Sequence, residues 1–239
     1  MNYGSIRYII GWILKVEAAL MTLPMIVSVV YREKTGVYFV MAALLCLGAG
    51  VLLSMKKPEK TTYYAKEGYI SVALGWIVMS IMGCLPFVFS GEIPFFFDAL
   101  FEIISGFTTT GASILTDVEA MSQICLMWRS FTHWLGGMGM LVFLLAVVPT
   151  GKGAGYSIHL LRAESPGPSV GKMVPRMRQT ASLLYKIYIV LTVLCVLFLL
   201  AGGMPLFDSL CTAFGTAGTG GFGIKNDSMA SYSPYLQNV

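Results

Sequence analysis

Charge is scarce in this sequence. Of 239 residues only 12% are Asp, Glu, Lys or Arg, against roughly 25% in an average soluble domain. With 56% hydrophobic residues and a mean hydropathy of +0.74, the composition excludes a soluble globular domain and leaves an all-α integral membrane protein. Metal-site and redox signatures are also missing. The five cysteines, Cys46, Cys84, Cys125, Cys195 and Cys211, form no CxxC pair, and the first four lie in or beside apolar runs. They read as small packing residues rather than disulfide or metal partners. Of the two histidines, His133 has no Cys, Asp or Glu at a ligand-like helical spacing and reads as structural or interfacial, and His159 falls in a basic loop. Ser, His and Asp occur, but in no nucleophile-and-base constellation, so the chain is not read as an enzyme.

Positive charge is absent from one long segment. Residues 91–121 carry no Lys or Arg but contain Glu92, Asp98, Glu102, Asp117 and Glu119. The basic residues gather instead at 55–67, with Lys56, Lys57, Lys60 and Lys66, and at 150–180, with Lys152, Arg162, Lys172, Arg176 and Arg178. The positive-inside rule makes these two loops cytoplasmic, which puts the amino terminus inside and 91–121 outside. Arg32 and Lys34, in the short loop YREKTG, fall outside and run mildly against the rule. Because the basic loops flank membrane spans, topology explains them and nucleic acid is not expected as a partner.

Apolar runs of about 20 residues, long enough to cross a bilayer, occur at 8–30, 37–54, 69–90, 123–148 and 181–203. These predict about five transmembrane helices. The first run is long, holds Lys15 and Glu17, and has no small-residue cleavage site after it, so it reads as a retained helix rather than a signal peptide.

Between the third and fourth runs stands GFTTTGAS, residues 106–113. It follows IPFFFDALFEII, which is too short to span and has Asp98 near its start, where a carboxylate suits a helix amino terminus. The order predicted is a span, a re-entrant helix, a Gly/Thr loop and a span. Non-helical backbone is tolerated at membrane depth only when buried in protein or lining a watery path. Carbonyl oxygens aimed into a narrow pore can replace the water shell of a cation, and the carboxyl end of the short helix adds partial negative charge.

The motif occurs twice. At an offset of 110 residues, FFFDALFEIISGFTTTGAS lies over PLFDSLCTAFGTAGTGGFG, matching Phe97 with Phe207, Asp98 with Asp208, Leu100 with Leu210, Thr109 with Thr219 and Gly111 with Gly221. An apolar span and a proline, Pro94 or Pro205, precede each copy. A dinucleotide-binding turn would need a strand before GTAGTGGFG, and a membrane span stands there instead.

The motifs FDALFEIISGFTTTGAS, WRSFTHWLGGMGMLVF, LLRAESPGPSVGKMVPRMRQTA and FDSLCTAFGTAGTGGFG resemble the amino-terminal half of the TrkH/KtrB superfamily of potassium transporters, in its TrkH branch. The resemblance implies two re-entrant pore helices with filter loops, in repeated span, pore-helix, span units. The expected divisions are a two-helix extension at 1–60, a first pore unit at 61–150 with its filter at 108–113, a basic cytoplasmic loop at 151–180, and an incomplete second unit at 181–239 with its filter at 218–223. Backbone carbonyls of Thr109, Thr110, Gly111 and Ala112, with Thr219, Gly220, Gly221 and Phe222, would line the path of K⁺, the transported ion. No organic cofactor is expected. A homodimer of full-length chains in the bacterial inner membrane, with a cytoplasmic nucleotide-binding regulatory ring docked on it, is also implied. The family surrounds its ion with four loops and this stretch supplies two. Either it is a piece of a longer transporter, or it is a nonconducting subunit that another polypeptide must complete.

Four further expectations concern single residues. Trp128 and Arg129 read as interfacial anchors, with Asp117 or Glu119 as a partner for Arg129. Gly136, Gly137 and Gly139 would let the span bend or another helix approach. Lys15 would snorkel to the inner surface. Glu17 has no evident partner in the sequence.

Overall fold

The computed structural model of the chain describes residues 2–58, 65–139 and 177–233. Every regular element among them is a helix, in the order α1 (Tyr3–Leu20), α2 (Thr22–Tyr31), α3 (Gly36–Ser54), α4 (Ala65–Ser90), α5 (Phe96–Phe107), α6 (Gln123–Gly137), α7 (Met177–Ala201) and α8 (Leu206–Ala217).

Local chemistry sets several boundaries. Asn2 caps α1 by accepting from the Ser5 amide at 3.2 Å, satisfying one of the amides a helix start leaves free. Pro24 has no N–H to offer the carbonyl of Leu20, so the first apolar run breaks into α1 and α2 at Met21 while remaining one candidate span from Tyr3 to Tyr31. Arg32 then turns the chain with φ 55°. Three further helices are long and apolar enough to cross a membrane: Gly36–Ser54, Lys66–Ser90 and Ser182–Ala201. Their side chains invert the soluble pattern. Leu44 and Leu52 on α3 and Val190 and Phe198 on α7 stand exposed, as lipid-facing side chains would.

The fifth expected run, 123–148, differs in kind. Only its first part is described, and there α6 is buried from Ile124 through His133, so it lies inside protein rather than against lipid. Residues 140–148 lie outside the described residues, as do Lys60 in the first basic loop and 151–176 in the second.

The short helices sit inside this frame. With 12 residues each, α5 and α8 reach about 18 Å, against about 30 Å of bilayer hydrocarbon. The first packs between α4 and α6, and the second between α6 and α7. Trp128 on α6 anchors the junction: it is fully buried, meets Phe39 and Phe107 edge to face, and donates Nε1–H to the Gly83 carbonyl at 2.9 Å. The expectation of an interfacial Trp128 is therefore corrected, because its ring fills the space where α3, α4, α5 and α6 meet.

The two ends of the bundle are marked by polar contacts. At one end the Asn2 amide donates to Glu67 and Arg7 donates to the Lys56 carbonyl. At the other, the Glu33 carboxylate accepts from the Gln123 and Ile124 amides at 2.8 and 3.1 Å, and Glu92 accepts from the Ser122 amide. The YREKTG loop thus supplies an anionic cap to the amino terminus of α6.

Candidate functional site

The two short helices and the loops after them correspond in register. α5 spans Phe96–Phe107 and α8 spans Leu206–Ala217, an offset of 110 at both ends. Phe95 and Pro205 are the corresponding helix-start residues. Pro205 therefore aligns with Phe95, and Pro94 lies one place earlier. Asp98 and Asp208 sit in the first turns.

The loops share three backbone bonds at equivalent positions, and the second adds one from the Gly221 amide to the Gly215 carbonyl. In the first, Thr108 N–H donates to Ile104, Thr109 to Gly106 and Thr110 to Ser105. In the second, Gly218 donates to Phe214, Thr219 to Thr216 and Gly220 to Gly215. Both loops then place the same two positions in the left-handed region: Thr109 and Gly111 at φ 54° and 76°, and Thr219 and Gly221 at 57° and 78°. For glycine this is cheap, but a β-branched threonine there costs on the order of 1–3 kcal/mol and persists only where the surroundings impose it.

Positive φ at alternate residues rotates successive peptide planes away from the strand pattern, in which side chains and carbonyls alternate. Among the described residues, no donor is bonded to a carbonyl of Thr109, Thr110, Gly111, Ala112, Thr219, Gly220, Gly221 or Phe222. A buried or half-buried carbonyl normally finds a partner, and four of these eight, at Thr109, Gly111, Gly220 and Phe222, lie at such positions without one among the described residues. The loops also meet: a Cβ built on Gly111 would run into the Gly220 carbonyl. Thr109, Gly111 and Gly220 are half-buried, Thr110, Ala112, Thr219 and Gly221 are exposed, and Phe222 is buried.

α6 wedges between the two helix ends. A Cβ on Gly136 would strike the Phe107 carbonyl, and one on Gly137 would lie 2.7 Å from the Gly218 Cα. Close approach of backbone to both carboxyl ends thus requires glycine at two adjacent positions. The ring of His133, on the same helix, stacks on Phe222 with centroids 3.9 Å apart. His133 is structural in this sense, but it lies in the interior and not at an interface.

The charged group at the centre is Arg129. It is 2% exposed, and Nε meets Glu102 Oε1 at 2.5 Å while Nη1 donates to the Gly223 carbonyl at 2.8 Å. Its guanidinium carbon lies 3.5 Å from the centroid of the Phe222 ring. Asp117 and Glu119 are not its partners. They face Asn226 instead, which accepts from the Val118 amide and donates to Asp117 and Glu119, while Lys225 pairs with Glu119 at 3.6 Å. Glu102 was visible in sequence as one acid among five. Its role was not, because the groups it holds, Ser113 and the Ile114 amide, come after a loop whose path the sequence does not reveal. Beyond the second loop Tyr232 donates to Asp208 at 2.7 Å, and burial together with that carboxylate pushes its phenol well above the ordinary range.

The family model described as TrkH, cation transport protein, matches residues 36–239. The Trk system potassium uptake protein TrkH of Salmonella typhimurium is 37% identical over 244 aligned positions, covering 100% of this chain and 50% of that protein. The Trk system potassium uptake protein TrkG of Escherichia coli is 32% identical, with 99% of this chain and 50% of that protein covered. Among solved structures, the crystal structure of the potassium transporter TrkH from Vibrio parahaemolyticus matches with a TM-score of 0.82 at 30% identity, covering 100% of this chain and 48% of that one. The chain spans about half the length of these curated relatives.

Proposed function

Because the chain belongs to the TrkH family of cation transport proteins, we propose that it supplies two pore units of a multi-pass potassium uptake transporter. The ion passes along the carbonyls of Thr109, Thr110, Gly111 and Ala112 in one loop and Thr219, Gly220, Gly221 and Phe222 in the other. The observation that carries this reading is the repetition, at one offset, of the same helix, the same three turn bonds and the same two left-handed residues. Side-chain identity is low across the repeat, so what is duplicated is backbone shape. Unspent carbonyls at two facing loops supply what a dehydrated cation needs.

The remaining organisation follows from the family resemblance. Residues 1–60 form a two-helix extension, 61–150 the first unit, 151–180 a cytoplasmic loop and 181–239 the beginning of the second unit. The bacterial inner membrane holds the protein with its amino terminus inside. Asn2, Lys56 and Glu67 then sit at the cytoplasmic end, and Glu33 and the start of α6 at the outer end. Complete transporters pair as homodimers and dock a nucleotide-binding ring on the inner face.

Uptake of K⁺ and Na⁺ into proteoliposomes holding the complete transporter tests the reading. Gly111→Ala and Gly221→Ala are each expected to change the K⁺/Na⁺ uptake ratio, because each forces a Cβ onto a left-handed residue of the ion path. An unchanged ratio in both variants refutes the pore assignment.

A further inference from the structure

Glu102 and Arg129 tie the exits of the two loops into one chain of contacts. Glu102, fully buried on α5, accepts from Ser113 Oγ at 2.9 and 3.1 Å and from the Ile114 amide at 3.1 Å, so it grips the first loop just past Ala112. Arg129 on α6 binds that carboxylate through Nε and reaches with Nη1 to the carbonyl of Gly223, just past Phe222 in the second loop. The guanidinium also covers the Phe222 ring.

Among the described residues, the helix before the second loop supplies no such holder. At the offset of 110, Glu102 corresponds to Thr212, whose carbonyl accepts from Thr216 within the same helix. The exit of the second loop is therefore held by a side chain from the first unit.

We propose that Arg129 is a positioning residue for ion selectivity, coupling the two loops so that both sets of carbonyls are fixed together; this rests on the pore assignment above. A buried ion pair is a poor device for stability, since desolvation of both charges offsets their attraction, and apolar replacements often do as well. Fixed direction is what it offers. The guanidinium is a planar fork whose Nε and Nη1 donors point along set lines, here to a carboxylate in one unit and a carbonyl in the other. Discrimination between K⁺ and the smaller Na⁺ depends on how firmly carbonyls hold their spacing and field around the ion. A loop exit free to shift would let them close on Na⁺. Lysine at 129 keeps the charge and offers a compact ammonium in place of the fork, so it can satisfy Glu102 or Gly223 but lacks the geometry for both.

The experiment measures K⁺ and Na⁺ uptake by the complete transporter in proteoliposomes, with the thermal midpoint of each purified variant recorded alongside. Arg129→Lys is expected to fold and to lose about tenfold in K⁺/Na⁺ uptake ratio, the scale of one charge-assisted hydrogen bond. Should Arg129→Lys fail to fold, Glu102→Gln, which keeps size and acceptor oxygen, is read in its place and is expected to lower the ratio by about threefold or more. A purely structural role would lower the thermal midpoint and leave the ratio intact. If Gly221→Ala alters the ratio while the folded variant of the pair keeps it within about twofold, the proposal is overturned and the pore assignment stands. If the glycine variants leave the ratio unchanged as well, the pore assignment falls and the proposal falls with it.

Discussion

The first loop, at 108–113, and the second, at 218–223, share a backbone and differ in what holds it. Each follows a 12-residue helix, makes three equivalent turn bonds and has positive φ at the same two places. Around them the side chains diverge. The first loop is gripped by Glu102 of its own helix, while the second is gripped by Arg129 of its neighbour. Gly111 is pressed against Gly220, whereas a Cβ on Gly221 would meet nothing within 4 Å. Repeated units thus keep the conformation that presents carbonyls and are free to change its supports.

The supports are where the units can be told apart most sharply. Arg129→Ala leaves Glu102 buried and unpaired and is expected to destabilise the protein by about 3–5 kcal/mol. Thr212→Ala, at the position equivalent to Glu102, removes only a half-buried hydroxyl and is expected to cost under about 1 kcal/mol. Thermal or denaturant unfolding in detergent compares the two. Similar losses would mean that the second loop depends on its own helix as much as the first does.

Glycine substitutions give the next contrast. Both Gly111→Ala and Gly221→Ala put a Cβ on a left-handed residue, at a cost of about 1–2 kcal/mol. Only at Gly111 does that Cβ also meet the facing Gly220 carbonyl, and overpacking of this kind adds about 1–3 kcal/mol. The larger loss of stability and of K⁺ uptake is therefore expected for Gly111→Ala. Equal losses would break the contact drawn between the loops.

The sequence was legible where pattern and physics coincide. Long apolar runs marked four spans that the structure bears out, and the offset of 110 is the register at which the two short helices repeat, although the first runs Phe96–Phe107 where the sequence suggested 93–104. What was hidden is contact across the chain. Trp128 and Arg129 at the start of an apolar run look like interfacial anchors, since periodicity cannot tell a helix facing lipid from one enclosed by α2, α5 and α8. For Arg129, Asp117 and Glu119 were nearer in sequence than Glu102, yet α5 presents Glu102 to α6 while Asn226 draws the other two away. Nothing in the sequence marked Gly223 as the second acceptor. Glu17 keeps its silence in part: it is buried beside Cys46, 3.6 Å from the sulfur, and the structure supplies no ion-pair partner for it among the described residues.

Outside the loops the units are joined again, more weakly. Asn226 bonds to the backbone of Val118 and to the side chains of Asp117 and Glu119, all at exposed positions where water competes for each bond. Asn226→Ala removes two of the three, since its backbone amide remains, and is expected to cost about 1 kcal/mol. Lys225→Gln, which removes the exposed pair with Glu119 at 3.6 Å, is expected to change the unfolding free energy by under about 0.5 kcal/mol. That difference should shrink further in high salt, because exposed charges are screened over about a Debye length. The buried pair of Glu102 and Arg129 is shielded from mobile ions and should hold its contribution across the same titration. A salt series on Lys225→Gln and Arg129→Ala therefore separates the two bridges between the units: if both effects decline together, the inner bridge is as open to solvent as the outer one, and the first unit does not hold the second through a desolvated contact.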